Sequence, residues 1–241
     1  MKNIREIFSL VAFATLLATS VVAQTSSNGS IYGFNYLEVV KGDGKTALPL
    51  LIAFHFSSSS PTEVLRYFDS LSFPVRIIVP RGNYPKRGGY SYFPRDHYSN
   101  DTLTQMRTVQ ATVDSVAMFV KHFHELYNTK PIVSGISQGG DISLLLAINY
   151  PELIKASFPL LGFVHRAVYE NLSKPAVSAV PIFLYHGADD KIVSSQYVKK
   201  EFQFLKQKFN IESYFYPKVE HDVTPAMEKD YSKKMMLLVQ H

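Results

Sequence analysis

The sequence predicts an α/β protein with a mostly parallel central sheet and helices on both faces. Two observations carry this expectation. Short apolar runs that read as strands alternate with segments of helical periodicity along nearly the whole chain after residue 30, the pattern that builds parallel sheets through crossover helices. The run at 48–54 is almost unbroken in its apolar character, as a strand covered on both faces must be. No internal repeat or linker divides the chain, and 241 residues of 46% hydrophobic content suffice for one sizeable core. In such sheets functional residues gather at the C-terminal ends of strands.

Taken in order, residues 24–30 are small and polar and read as a flexible lead-in. Residues 31–40 read as a first strand, ended by the turn Gly42-Asp43-Gly44. The buried strand at 48–54 stops at His55-Phe56-Ser57-Ser58-Ser59-Ser60. Pro61 then opens a helix to about residue 71, with Ser60 or Thr62 as cap and Val64, Leu65 and Phe68 turned inward. Residues 74–79 form the next strand, followed by a long loop at 80–101 that carries Tyr84, Tyr90, Tyr92, Phe93 and Tyr98. Asp101 caps an amphipathic helix to about 127, whose apolar stripe is Val109, Val113, Val116, Phe119, Val120 and Phe123. Strands at 131–136, 154–160, 180–185 and 211–216 and helices at 138–149, 194–209 and 225–239 complete the pattern; the connection at 161–179 has no assigned form.

The N-terminus reads as a targeting signal. Lys2 and Arg5 precede an apolar stretch at 7–18, and Val21-Val22-Ala23 offers a small-residue cleavage site before Gln24. The expectation is a signal peptide at 1–23 and an α/β domain at 24–241, exported to a periplasm or secreted, with no membrane contact beyond the signal. The net charge of +5 is spread along the chain, which argues against a nucleic-acid function. Cysteine is absent, so disulfides, a thiol nucleophile and a cysteine-based metal site are excluded.

The chemistry is carried by Gly135-Ile136-Ser137-Gln138-Gly139, placed where a strand ends and a helix begins. A serine at the apex of such a turn has a strained backbone and an exposed hydroxyl, and the following helix aims its free N–H groups beside it. A serine hydroxyl is a poor nucleophile at neutral pH, so an imidazole must take its proton and return it to the leaving group, and a carboxylate must hold that imidazole. Asp189 and Asp190 follow the strand at 180–185, and His221 follows the last strand. The chain order Ser, Asp, His is the one expected of this elbow architecture. His122 and His124 lie within the long helix, His97 and His165 in irregular stretches, His241 at the terminus, and His186 in the acid loop as an organising residue.

With these motifs the chain resembles the α/β-hydrolase superfamily, and in particular the phospholipase/carboxylesterase, acyl-protein-thioesterase-like serine esterases. The pattern H-G-x-x-D-x-x-V of that group falls on His186, Gly187, Asp190 and Val193, so the resemblance favours Asp190 over Asp189 as the acid. It implies Ser137 as nucleophile, His221 as general base and then acid, and an oxyanion hole from the backbone N–H groups of Gln138 and Ser57, with Phe56 the next choice for the second donor. Two departures stand out: Phe56 where the group has Gly after the strand-end histidine, and Glu220 where it has Gly before the catalytic one. The expected activity is carboxylic-ester hydrolysis through an acyl-enzyme, without cofactor or metal, on a small-molecule or polysaccharide-linked ester. Export argues against intracellular protein depalmitoylation. A small-peptide serine peptidase uses the same parts, and a catalytically silent binding module on the same fold is the alternative from another class. The tyrosine loop could wall an acyl pocket, and Arg81, Lys86, Arg87 and Arg95 could attract an acidic substrate, although ordinary loop packing and scattered surface charge also account for them. The sequence does not specify an oligomeric state.

Overall fold

The computed structural model describes residues 24–43, 47–162 and 178–240. The expected signal peptide, His165, His241 and most of the connection at 161–179 lie outside the described residues. The chain opens with a hairpin, β1 (Gln24–Ile31) against β2 (Phe34–Lys41), paired antiparallel from Gln24↔Lys41 to Ile31↔Phe34. Residues 24–30 are therefore strand, in contrast to the flexible lead-in expected. β1 is an exposed edge whose polar side chains face solvent, so its backbone ladder leaves no period-2 apolar signal to read.

β3 (Leu50–Phe54) leads into α1 (Pro61–Leu65), which has Pro61 in its first turn and a capping box between Ser60 and Glu63. The helix tightens into a 3₁₀ turn at Arg66–Phe68 and stops at Asp69, shorter than its sequence pattern implies. β4 (Val75–Pro80) follows, and within the long loop β5 (Tyr84–Lys86) and β6 (Gly89–Ser91) form a small hairpin. α2 (Thr102–Tyr127) is capped by Asp101, which accepts from the Thr104 N–H at 3.0 Å. β7 (Ile132–Ile136), α3 (Gln138–Asn149), β8 (Ala156–Leu160), β9 (Ser178–Gly187), α4 (Ser195–Leu205), β10 (Phe209–Tyr216) and α5 (Pro225–Val239) complete the described chain.

Among the described residues eight strands form one sheet in the order β1-β2-β4-β3-β7-β8-β9-β10. The β1–β2 and β2–β4 pairs are antiparallel; from β4 to β10 every neighbouring pair is parallel. β3 shows why its sequence is apolar throughout. Leu50, Ile52 and Phe54 enter a core with α2, α3 and α4, whereas Leu51 and Ala53 enter a second core with α1 and α5. The expected stripe of α2, from Val109 to Phe123, is buried in the first core. α3 buries eleven of its twelve residues, which fixes the helix that follows Ser137 rigidly against the sheet.

Candidate active site

Ser137 joins β7 to α3 with φ 52° and ψ −114°, a left-handed backbone that a residue with a Cβ adopts only under strain. The surroundings hold it there. Its N–H donates to the Leu160 carbonyl at 2.8 Å and its own carbonyl accepts the Asp141 N–H at 3.0 Å, the first bond of α3. Gly139 lets the helix start lie directly on β3: a Cβ there would collide with the Phe54 carbonyl. The half-buried hydroxyl thus stands at the C-terminal edge of the sheet, beside the first turn of α3.

Three strand ends meet at that edge. His221 Nε2 lies 3.0 Å from Ser137 Oγ, and His221 Nδ1 lies 2.7 Å from Asp190 Oδ2. Asp190 is buried, and its other oxygen accepts the N–H groups of Ile192 and Val193, both at 2.9 Å. Asp189 is exposed, and its N–H is bound to the Val219 carbonyl at 2.9 Å. Of the two adjacent acids, Asp190 is therefore the one that reaches the imidazole. His186 donates from Nε2 to the Val193 carbonyl at 2.9 Å and sits 3.3 Å from Asp190 Oδ2. Burial lowers its pKa, so it is a neutral brace for the acid loop at neutral pH. Gly187 makes the meeting possible, because a Cβ there would strike the carbonyls of Glu220 and Val219.

The loop after β3 approaches from the other side. His55 is fully buried and stacks on Tyr92 with ring centroids 4.6 Å apart. Its Nε2 accepts the Gly82 N–H at 2.9 Å, which leaves the proton on Nδ1 to be donated to the Phe56 carbonyl at 2.8 Å. Burial pulls this imidazole down to about 4, so it is neutral. The same Phe56 carbonyl accepts the Ser59 N–H at 3.2 Å, and the Ser58 N–H goes to Tyr90 at 2.8 Å. The left-handed residue in this loop is Ser58, with φ 69°. Phe56 needs no positive φ, so replacing Gly at that position carries no backbone strain; its ring packs against the second core.

The side chain of Gln138 clamps the tyrosine loop to the elbow. Its Oε1 accepts the Tyr92 N–H at 2.8 Å and the Ser91 hydroxyl at 3.2 Å. Tyr92 and Phe93 are core residues, the former donating its hydroxyl to the Pro80 carbonyl at 2.6 Å, whereas Tyr84 and Tyr98 are exposed. Sequence reasoning singled out Gln138 for its backbone alone and missed the positioning roles of His55 and of the Gln138 side chain. Neither leaves a signal in spacing, because their partners, Gly82, Ser91 and Tyr92, are more than 25 residues away. Among the described residues no group of three or more His, Cys, Asp or Glu is arranged to hold a metal ion.

A family model described as phospholipase/carboxylesterase matches residues 38–239. The chain belongs to the phospholipase/carboxylesterase family. The matched span of this family contains Ser137, Asp190 and His221. Acyl-protein thioesterase 1 of Mycosarcoma maydis is 28% identical over 113 residues, 44% of this chain and 47% of that protein, so the chain spans about half the length of that curated relative. Two solved carboxylesterase structures share the fold. That from Mesorhizobium loti has TM-score 0.74 and 15% identity, with 88% of this chain and 98% of that one covered. That from Bacillus cereus has TM-score 0.68 and 14% identity, with 91% and 96% covered. The fold is the α/β-hydrolase fold.

Proposed function

We propose that the protein is an exported serine hydrolase of carboxylic esters. The observation that carries this reading is the single imidazole of His221 bridging the Ser137 hydroxyl and the buried Asp190 carboxylate. Nδ1–H donates to Asp190, which holds the tautomer that leaves Nε2 free to accept the Ser137 proton as Oγ attacks the carbonyl. The proton then passes from Nε2 to the departing alcohol, and water attacks the acyl-enzyme by the same route in reverse. The Gln138 N–H, which α3 itself cannot use, is one oxyanion donor. Ser57 is the other. The His55 carbonyl faces Gly139, where a Cβ would lie 2.9 Å from it, so a trans peptide turns the Phe56 N–H away from α3. The Phe56 carbonyl is held by His55 and Ser59, which fixes the direction of the Ser57 N–H on the opposite edge of that peptide.

Ser137→Ala should abolish hydrolysis of p-nitrophenyl esters by the purified protein, and a fluorophosphonate probe should label the unsubstituted protein at Ser137 alone. Full activity in the variant, or an unlabelled serine, would remove the nucleophile from this account; an unlabelled serine would leave the silent binding module. Export is supported by Lys2, Arg5, the apolar stretch at 7–18 and Val21-Val22-Ala23, and cleavage before Gln24 would leave β1 whole. N-terminal sequencing of protein recovered outside the cytoplasm should begin at Gln24; retention of Met1 in the cytoplasm would contradict it.

A further inference from the structure

Lys86, at the end of β5, reaches back to the oxyanion loop. Its Nζ donates to the Ser57 hydroxyl at 3.0 Å and lies 5.4 Å from the centre of the Tyr98 ring. Tyr98, itself exposed, adjoins the Gln138 side chain. Lys86 is half-buried beside the loop that bears Ser57. Among the described residues no carboxylate pairs with it, and its neighbour in charge is the like-signed Arg87. Burial first, and Arg87 second, lower its pKa, the direction expected of a cation whose charge is left uncompensated.

The sheet order says which part of an ester would meet it. Ser137 follows β7. The loop bearing Ser57 follows β3 and the hairpin bearing Lys86 follows β4, on one side of Ser137; Asp190 follows β9 and His221 follows β10, on the other. The departing alcohol must take its proton from His221 Nε2, so it lies toward β9 and β10. The acyl group then extends the opposite way, toward β3 and β4. We propose that Lys86 is a specificity-determining residue that binds a carboxylate carried on the acyl part of the substrate, so that the preferred esters are half-esters of dicarboxylic acids. One ammonium with a single short polar contact suits a single monoanion. The inference rests on the Ser137 mechanism above and adds to it the acyl class.

The test compares two substrates of equal chain length, mono-p-nitrophenyl adipate and p-nitrophenyl hexanoate, in the unsubstituted protein and in Lys86→Met, Lys86→Arg and Lys86→Glu. The ratio of kcat/KM for the adipate to that for the hexanoate should fall about tenfold in Lys86→Met, the scale of one charge-assisted contact at a half-exposed site. It should be largely kept in Lys86→Arg and fall further in Lys86→Glu. The preference should also weaken with added salt. Equal losses on both substrates, or an unchanged ratio in Lys86→Met, would overturn the proposal. Fluorophosphonate labelling of each variant shows that Ser137 is intact. If the unsubstituted protein neither labels nor cleaves the hexanoate, the esterase reading itself has failed; if it does both and the ratio ignores Lys86, only the acyl-class inference has.

Discussion

Asp189 and Asp190 are chemically identical neighbours, and their environments separate them. Asp190 is buried, accepts two backbone N–H groups on one oxygen and faces His221 with the other, whereas Asp189 is exposed. Asp190→Asn should lower kcat on the order of 10⁴-fold by presenting the wrong hydrogen-bond partner to Nδ1. Asp189→Asn should leave kcat within a few-fold; a stopped assay with any p-nitrophenyl ester distinguishes the two. Equal losses would mean that the acid has been misassigned. The residue type and its spacing from His186 were legible in the chain, but burial was not. The same holds for His55, which reads as a strand-end histidine and in the fold becomes the donor that orients the Phe56 carbonyl.

The loops that carry Asp190 and His221 meet because Gly187, at the end of β9, presents no Cβ to the Val219 and Glu220 carbonyls. Gly187→Ala must push the histidine loop outward. Overpacking of this kind costs about 1–3 kcal/mol, and a displacement near 1 Å of a catalytic group can cost on the order of 10²-fold in rate. The expected result is a modestly lowered Tm with a much larger loss of kcat; a variant with undiminished kcat would show that the two loops can separate without consequence. Element identity was readable where periodicity was strong. α2 runs from Thr102 to Tyr127 with the expected stripe inward, because its apolar positions recur at helical spacing and Asp101 supplies the cap. β1 was not readable, since an exposed edge strand of Ser, Asn and Gly is held chiefly by its backbone ladder to β2.

At the scale of the whole molecule, burial of neutral imidazoles couples stability to pH. His55 falls from the ordinary 6.5 to about 4 in the folded chain, chiefly through burial. Unfolded, it binds a proton near 6.5; folded, it resists until about 4. Between these values the unfolded state holds more protons, so stability falls as pH falls through that window. At about 1.4 kcal/mol per tenfold change in proton affinity, His55 alone contributes a loss of about 3 kcal/mol by pH 4. His186, lowered in the same direction by burial, adds to it. Urea titrations between about pH 7 and pH 4 should show this decline, and a flat profile would mean that His55 gains access to water. The site also depends on the molecule as a whole, because its parts come from the ends of β3, β4, β7, β9 and β10, and only the completed sheet aligns those ends.

The chain by itself determined the alternation of strands and helices, the elbow at Ser137, and the order of serine, aspartate and histidine along the strand ends, because each of these is a local pattern of hydrophobic period, turn chemistry and spacing. Tertiary structure decided which aspartate meets His221, that Phe56 sits without positive φ, that Gln138 braces the tyrosine loop and His55 the loop after β3, and that Lys86 reaches the Ser57 hydroxyl. Those outcomes depend on burial and on contacts between residues tens of positions apart, which exist only once the sheet has brought its strand ends to a common edge.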